Sequence, residues 1–98
     1  MSGSNLDFLA TLEGIIRERR DEPSATSYTA KLFAAGTHRI AQKVGEEAVE
    51  AALASTQGDA DKITSETADL LYHLLVLLAH QDIRLADVVA ELESRHTP

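Results

Sequence analysis

The sequence has no cysteine, no tryptophan and only two tyrosines and two phenylalanines among 98 residues. Without cysteine there are no disulfides and no thiolate metal sites, which fits a reducing compartment. Few aromatics leave the core to Leu, Val, Ile and Ala, a composition that favours helices. Positive charge is also scarce: nine bases stand against sixteen acids, for a formal net charge of −7. Such a surface repels polyanions at long range, so nucleic acid is excluded as an expected partner. A small anionic ligand would need something positive between it and the protein. There is no long apolar run. Leu70–Ala79 is interrupted by Tyr72 and His73 and falls short of the ~20 residues that span a bilayer, so no membrane partner is expected. The opening MSGSNLDF has neither a basic residue nor an apolar run, which sets the expectation of no secretory signal and a cytoplasmic place. Strand-type alternation, internal repeats and linkers are absent too.

What is present reads as one small all-α domain over residues 1–98, a bundle of about five helices. A chain this short buries only about 60–68% of its unfolded surface. Met1–Ser4 is expected to be disordered, with Asn5 as cap of a first helix. Leu6, Phe8, Leu9, Leu12, Ile15 and Ile16 recur there at helical spacing. Arg17, Arg19 and Arg20 close it, where cations suit the dipole, and Pro23 stops it within the loop DEPSATS. Ser27 caps a second helix, Tyr28–Ala35, closed by Gly36, with Leu32 and Phe33 inward. Thr37 caps a third, from about His38 to Ser55, with Ile40, Val44, Val49 and Leu53 as its stripe. Its many alanines suggest close approach by another helix, and Gly45 inside it leaves room for a neighbour or is simply tolerated. A turn at 57–60 leads to a fourth helix, about Asp61–Gln81, apolar nearly all round from Leu70 to Leu78. A helix apolar on every side is buried, and so short a chain cannot wrap it, so a homodimer or higher homo-oligomer is expected. Leu85–Arg95 carries a one-sided stripe, Leu85, Val88, Val89 and Leu92, expected to dock.

The third and fourth helices carry the chemistry. Glu47 and Glu50 stand three apart on one, Glu66 and Asp69 three apart on the other. Residues three apart share a helix face, and helices joined by a short turn pack antiparallel, so the pairs can converge. Either pair alone reads as an ordinary solvated face. Together, next to the apolar run, they would repel unless a cation sat among them. All-oxygen ligation with no Cys and no Glu-x-x-His pair points to Mg²⁺, with Mn²⁺ as the alternative, rather than zinc or di-iron. Lys43, one turn before Glu47, is either an i,i+4 ion-pair partner or a phosphate contact. Arg39 and Lys31 are weaker candidates for that contact. His73, one turn after Asp69, is either a ligand contact or a hydrogen-bonded core histidine. His38 and His80 are expected at the surface, and Tyr28 and Tyr72 with hydroxyls near solvent.

The pattern Glu-x-x-Glu, turn, Glu-x-x-Asp resembles the all-α nucleotide pyrophosphohydrolases of the MazG type. The fuller strings SYTAKLFAAGTHRIAQKVGEEAVEAALA and ETADLLYHLLVLLA, followed by LADVVAEL, resemble the phosphoribosyl-ATP pyrophosphohydrolases of histidine biosynthesis. The likeness runs from about Leu6 to Arg95. Arg84 departs from it, standing where related chains often carry a capping Ser. The resemblance implies Mg²⁺-dependent hydrolysis of phosphoribosyl-ATP to phosphoribosyl-AMP and pyrophosphate by a dimer or larger assembly. It implies Glu47, Glu50, Glu66 and Asp69 as metal ligands, Glu46 as an acid behind them that orients water, and Lys43 on a phosphate. Catalytic work would fall to Glu46 and Glu47, and substrate binding to Lys43, Arg39, Lys31 and His73. Two other functions stay open: a house-cleaning nucleoside triphosphate pyrophosphatase, and a non-catalytic helical dimerisation module.

Overall fold

The computed structural model describes residues 2–22 and 27–97. Their order is a 3-10 helix, Ser2–Asp7, then α1 (Phe8–Asp21), α2 (Tyr28–Ala35), α3 (Thr37–Gln57), α4 (Ala60–His80) and α5 (Leu85–His96). No strand occurs among the described residues, so the all-α bundle expected from composition is what forms. The stretch expected to be disordered overlaps the 3-10 helix from Ser2 onward, and Pro23 lies outside the described residues.

Local chemistry explains most boundaries. Ser27 Oγ accepts from the Ala30 N–H at 3.2 Å and starts α2. Gly36, at φ 94°, ends α2 and begins α3 in one residue, a backbone region that costs glycine little. Thr37 is therefore inside α3 and makes no capping bond. Gly58 closes α3 in the left-handed region at φ 71°. The next residue, Asp59, caps α4 by accepting from Asp61 and Lys62 N–H. Asn5 is not the cap of α1: that place falls to Asp7, which is itself helical and makes no side-chain bond. Where α4 ends, the Ile83 N–H returns to Leu78 O at 2.8 Å and the Asp82 N–H to Ala79 O at 3.1 Å. This paired closure places Asp82 in the left-handed region, φ 57°, where glycine is the usual occupant.

The α3–α4 hairpin is the spine, and α1 and α2 pack on it. The core is Ile16, Leu32, Ile40, Leu75, Val76 and Ala79, so it gathers where the second half of α4 meets α1, α2 and the start of α3. Each Leu, Ile or Val side chain taken from water contributes about 1.5–3 kcal/mol, and the Ala79 methyl less.

Two expectations about burial need correction. The α5 stripe docks only at its first residue, Leu85, which packs against the core, while Val88, Val89 and Leu92 are exposed. Val49 and Leu53 of α3 are exposed as well, and a Cβ at Gly45 would meet nothing within 4 Å. The apolar run of α4 is only partly covered, with Leu71 43% exposed, in line with the expectation that so short a chain cannot wrap it. Leu9, Leu71, Leu74, Leu75, Leu78, Leu85 and Val88 line a groove of about 240 Å³. The radius of gyration is 14.7 Å, against about 12.6 Å for a compact domain of this length.

α5 is held at its root by polar contacts from α1. Glu13 Oε2 accepts from the Leu85 N–H at 2.7 Å. Arg17 donates to Asp82 Oδ1 at 3.2 Å and to Ile83 O at 3.0 Å, and Arg20 donates to Ala79 O at 2.9 Å. Asp87 Oδ2 accepts from the Arg84 N–H at 3.2 Å. The reciprocal half of a capping box is absent because an arginine side chain has no acceptor.

Candidate metal centre

The antiparallel course of α3 and α4 brings Glu47, Glu66 and Asp69 together. One carboxylate oxygen from each lies within 4.8 Å of the others. Glu47 and Glu66 are half-buried and Asp69 is exposed. Like charges this close repel, and three hard oxygen donors converging from two helices are the donor set that Mg²⁺ or Mn²⁺ takes. The structure thus contains an acidic site able to hold a divalent cation. Glu50, one turn beyond Glu47, is exposed and is not part of the group of three.

Lys43 faces this group. Its Nζ lies 3.3 Å from Glu47 Oε2 and 3.5 Å from Glu46 Oε1. The bond to Glu47 raises its pKa above the ordinary lysine value, against the lowering effect of burial, and the neighbouring Tyr28 and Glu46 add to the rise. The ammonium therefore offsets part of the acidic charge. Glu46, beside it, has a half-exposed side chain. Arg39 is exposed and donates to Gln42 at 3.1 Å. Lys31 is exposed on α2.

His73 is buried, 6% exposed. Its Nδ1 lies 2.7 Å from Asp69 O and its Nε2 2.9 Å from the Tyr28 hydroxyl. The Tyr72 hydroxyl bonds to Thr29 Oγ1, and burial pushes the Tyr72 pKa up, opposed by that bond. Both tyrosine hydroxyls thus have protein partners, with Tyr72 half-buried and Tyr28 still 49% exposed. His38 is exposed as expected, whereas His80 is half-buried and stacks on Phe33 at 6.1 Å between ring centroids. The bonds that Tyr28, Thr29 and Tyr72 make between α2 and α4 escaped the sequence reading. The available signal was faint: two hydroxyl-bearing residues directly after a capping serine, and a Tyr-His pair one turn past an acid.

The chain is similar in sequence to known proteins. A family model described as phosphoribosyl-ATP pyrophosphohydrolase matches residues 9–96. A "Histidine biosynthesis bifunctional protein HisIE" from Salmonella typhi is 56% identical over 89 residues, 91% of this chain and 44% of that protein. Its counterpart from Yersinia pestis is 52% identical over 95 residues, 97% of this chain and 47% of that protein. The one from Vibrio cholerae is 52% identical over 93 residues, covering 95% and 44%. The chain spans a little under half the length of these curated relatives.

Proposed function

The chain belongs to the phosphoribosyl-ATP pyrophosphohydrolase family, and on that premise we propose that it hydrolyses phosphoribosyl-ATP to phosphoribosyl-AMP and pyrophosphate with Mg²⁺. The observation that carries the proposal is the convergence of Glu47, Glu66 and Asp69 within 4.8 Å, inside the stretch that the family model matches. The donor set fits the ion, being all carboxylate oxygen and partly exposed. Glu47, Glu66 and Asp69 would hold it, and Glu50, exposed one turn along α3, would swing in as the fourth ligand. A divalent ion there supplies positive charge for phosphate oxygens and makes a nearby water more acidic.

The chain's own residues do the rest. Water adds at phosphorus, the anhydride bond between the first and second phosphates breaks, and pyrophosphate leaves. A carboxylate outside the ion takes the water's proton, and Glu46, half-exposed beside Lys43, is assigned that role. Lys43, its pKa raised by its glutamates, would meet a phosphate. No covalent nucleophile enters the scheme.

The working form is a homodimer or larger. The open apolar groove, the exposed stripe of α5 and the large radius of gyration support this. Light scattering should give at least twice 10.6 kDa, and Leu74→Asp should yield a monomer with a lower Tm. No helix among the described residues is long and apolar enough to cross a membrane. The deciding assay is pyrophosphate release from phosphoribosyl-ATP with Mg²⁺. Turnover of ordinary nucleoside triphosphates in preference would make the protein a house-cleaning pyrophosphatase, and no release from any nucleotide would leave only a dimerisation module.

A further inference from the structure

α2 is tied to α4 next to the acids. Tyr28 and Thr29, its first two residues, bond to His73 and Tyr72. The two tyrosine rings stack at 6.3 Å, and the His73 ring stands edge-on to Tyr72 at 5.0 Å. Directionality follows from the partners. The main-chain oxygen of Asp69 only accepts, so His73 Nδ1 donates to it and Nε2 accepts from the Tyr28 hydroxyl. A buried histidine with both nitrogens engaged has none free for a phosphate. What it has is a continuous path, Tyr28 to His73 to the peptide oxygen of Asp69.

We propose that Tyr28 and His73 are positioning residues for Asp69, holding its turn of α4 so that the carboxylate meets Glu47 and Glu66, and that neither touches substrate. The inference rests on the reading of those acids as metal-holding. Asp69 O already lies in reach of the helical N–H of residue 73, so the ring bond braces that turn a second time. The Tyr28 link then fixes it against another helix. Rotation of α4 about its own axis, which would swing Asp69 out of the group, has to break the bond between Tyr28 and His73. Outer hydrogen bonds of this kind matter because a ligand oxygen displaced by about 1 Å can cost 10²-fold in rate.

The test combines Mn²⁺ titration with steady-state kinetics on phosphoribosyl-ATP, well below the Tm of each variant. Tyr28→Phe keeps the ring and removes only the hydroxyl. It should weaken Mn²⁺ binding and lower kcat, each by about tenfold, with KM within about twofold of the parent. His73→Asn, whose amide nitrogen can take the place of Nδ1, should retain more Mn²⁺ affinity than His73→Leu. Thr29→Val cuts the neighbouring link, which makes no hydrogen bond to Asp69, and should lower Tm while moving Mn²⁺ affinity less than Tyr28→Phe does. Unchanged Mn²⁺ affinity in Tyr28→Phe overturns the inference, as does a raised KM with unchanged Mn²⁺ affinity in the His73 variants, the sign of a phosphate contact. If His73→Leu fails to fold, Tyr28→Phe still decides. A parent protein that binds no Mn²⁺ and releases no pyrophosphate overturns the metal reading and this inference with it. A parent that does both while Tyr28→Phe matches it overturns the inference alone.

Discussion

Two clusters of charge lie along α4, and they are built on opposite rules. Around Glu66 and Asp69 the acids outnumber the single base, Lys43, which meets Glu47 at 3.3 Å, and Asp69 is exposed. At the far end the charges are paired, though Arg17 Nε is buried without a hydrogen-bond partner. Arg17 and Arg20 meet Asp82 and the main-chain oxygens of Ala79 and Ile83, while Glu13 takes the first N–H of α5. The balanced cluster lowers the energy of the fold by itself, since charged hydrogen bonds to otherwise orphaned helix ends are among the stronger ones. The unbalanced one raises it until a cation arrives. The difference separates a site from a clasp more reliably than acid content does.

Neutralising one acid in each cluster should break the comparison most visibly. Glu66→Gln or Asp69→Asn should lower kcat on phosphoribosyl-ATP by roughly 10²-fold or more, about 3 kcal/mol of transition-state stabilisation. Asp82→Asn should leave kcat near the parent value. Equal loss in all three would mean that the clusters do not divide the labour. Next in size is the response to the ion. Mg²⁺ at 100 times its Kd should stabilise the parent by about 2.7 kcal/mol, read as a rise in Tm. Glu47→Gln should remove most of the gain and, by relieving repulsion, leave the metal-free form no less stable. A Glu47→Gln protein that gains as much as the parent would show that this carboxylate holds no ion.

Arg17→Met tests the clasp. The guanidinium is largely buried, with 12% of its side chain exposed, and its loss takes the donor from the Ile83 carbonyl, while Asp82, 84% exposed, keeps water and Arg20 as partners. We expect a cost of about 2 kcal/mol, or roughly 10 °C in Tm for a domain this size, with Mg²⁺ affinity unmoved.

The acids were legible because their signal is short-range: spacing three on two helices that a tight turn makes antiparallel. The bounds of α2 came from Ser27 and Gly36 for the same reason. The clasp was not legible. Arg17 and Arg20 read as dipole partners at a helix end, because their partners Asp82 and Ile83 lie more than sixty residues on. The Tyr28–His73 bond spans forty-five residues and was equally hidden. The α5 stripe misled, since periodicity tells which face is apolar but not which surface covers it. Glu50 shares a helix face with Glu47, yet one turn of α3 is enough to leave it outside the group of three.

Acid should distinguish the clusters more gently. Bonding to Arg17, and then the charges of Arg20 and Arg17, hold the Asp82 carboxyl below its ordinary value of 3.8. A depressed folded-state pKa gives stability that is present above the unfolded value and is lost as pH falls through the folded one. The clasp should therefore weaken from about pH 4 downward. In Asp82→Asn that part of the acid sensitivity should vanish, so parent and variant differ most above pH 5 and converge near pH 2 in denaturant titrations. A constant gap across that range would detach Asp82 from the clasp.

The smallest effect, and the most informative about the acid face, concerns Lys43. As the positive neighbour in a cluster of carboxylates, it has two descriptions that differ in where its energy appears. If it serves only Glu46 and Glu47, Lys43→Ala removes an i,i+4 pair whose side chains are only 18% and 13% exposed, so the loss appears in stability and hardly at all in kinetics. If it also meets a phosphate, the contact exists in both ground and transition states, so KM rises by more than kcat falls. In either case Mg²⁺ should bind as well or slightly better, because a cation that competes for Glu47 has gone. Steady-state kinetics at saturating Mg²⁺ separate the two. An unchanged KM rejects the phosphate contact and leaves Lys43 as counterion to the acids, whereas a KM several times that of the parent puts it on the substrate.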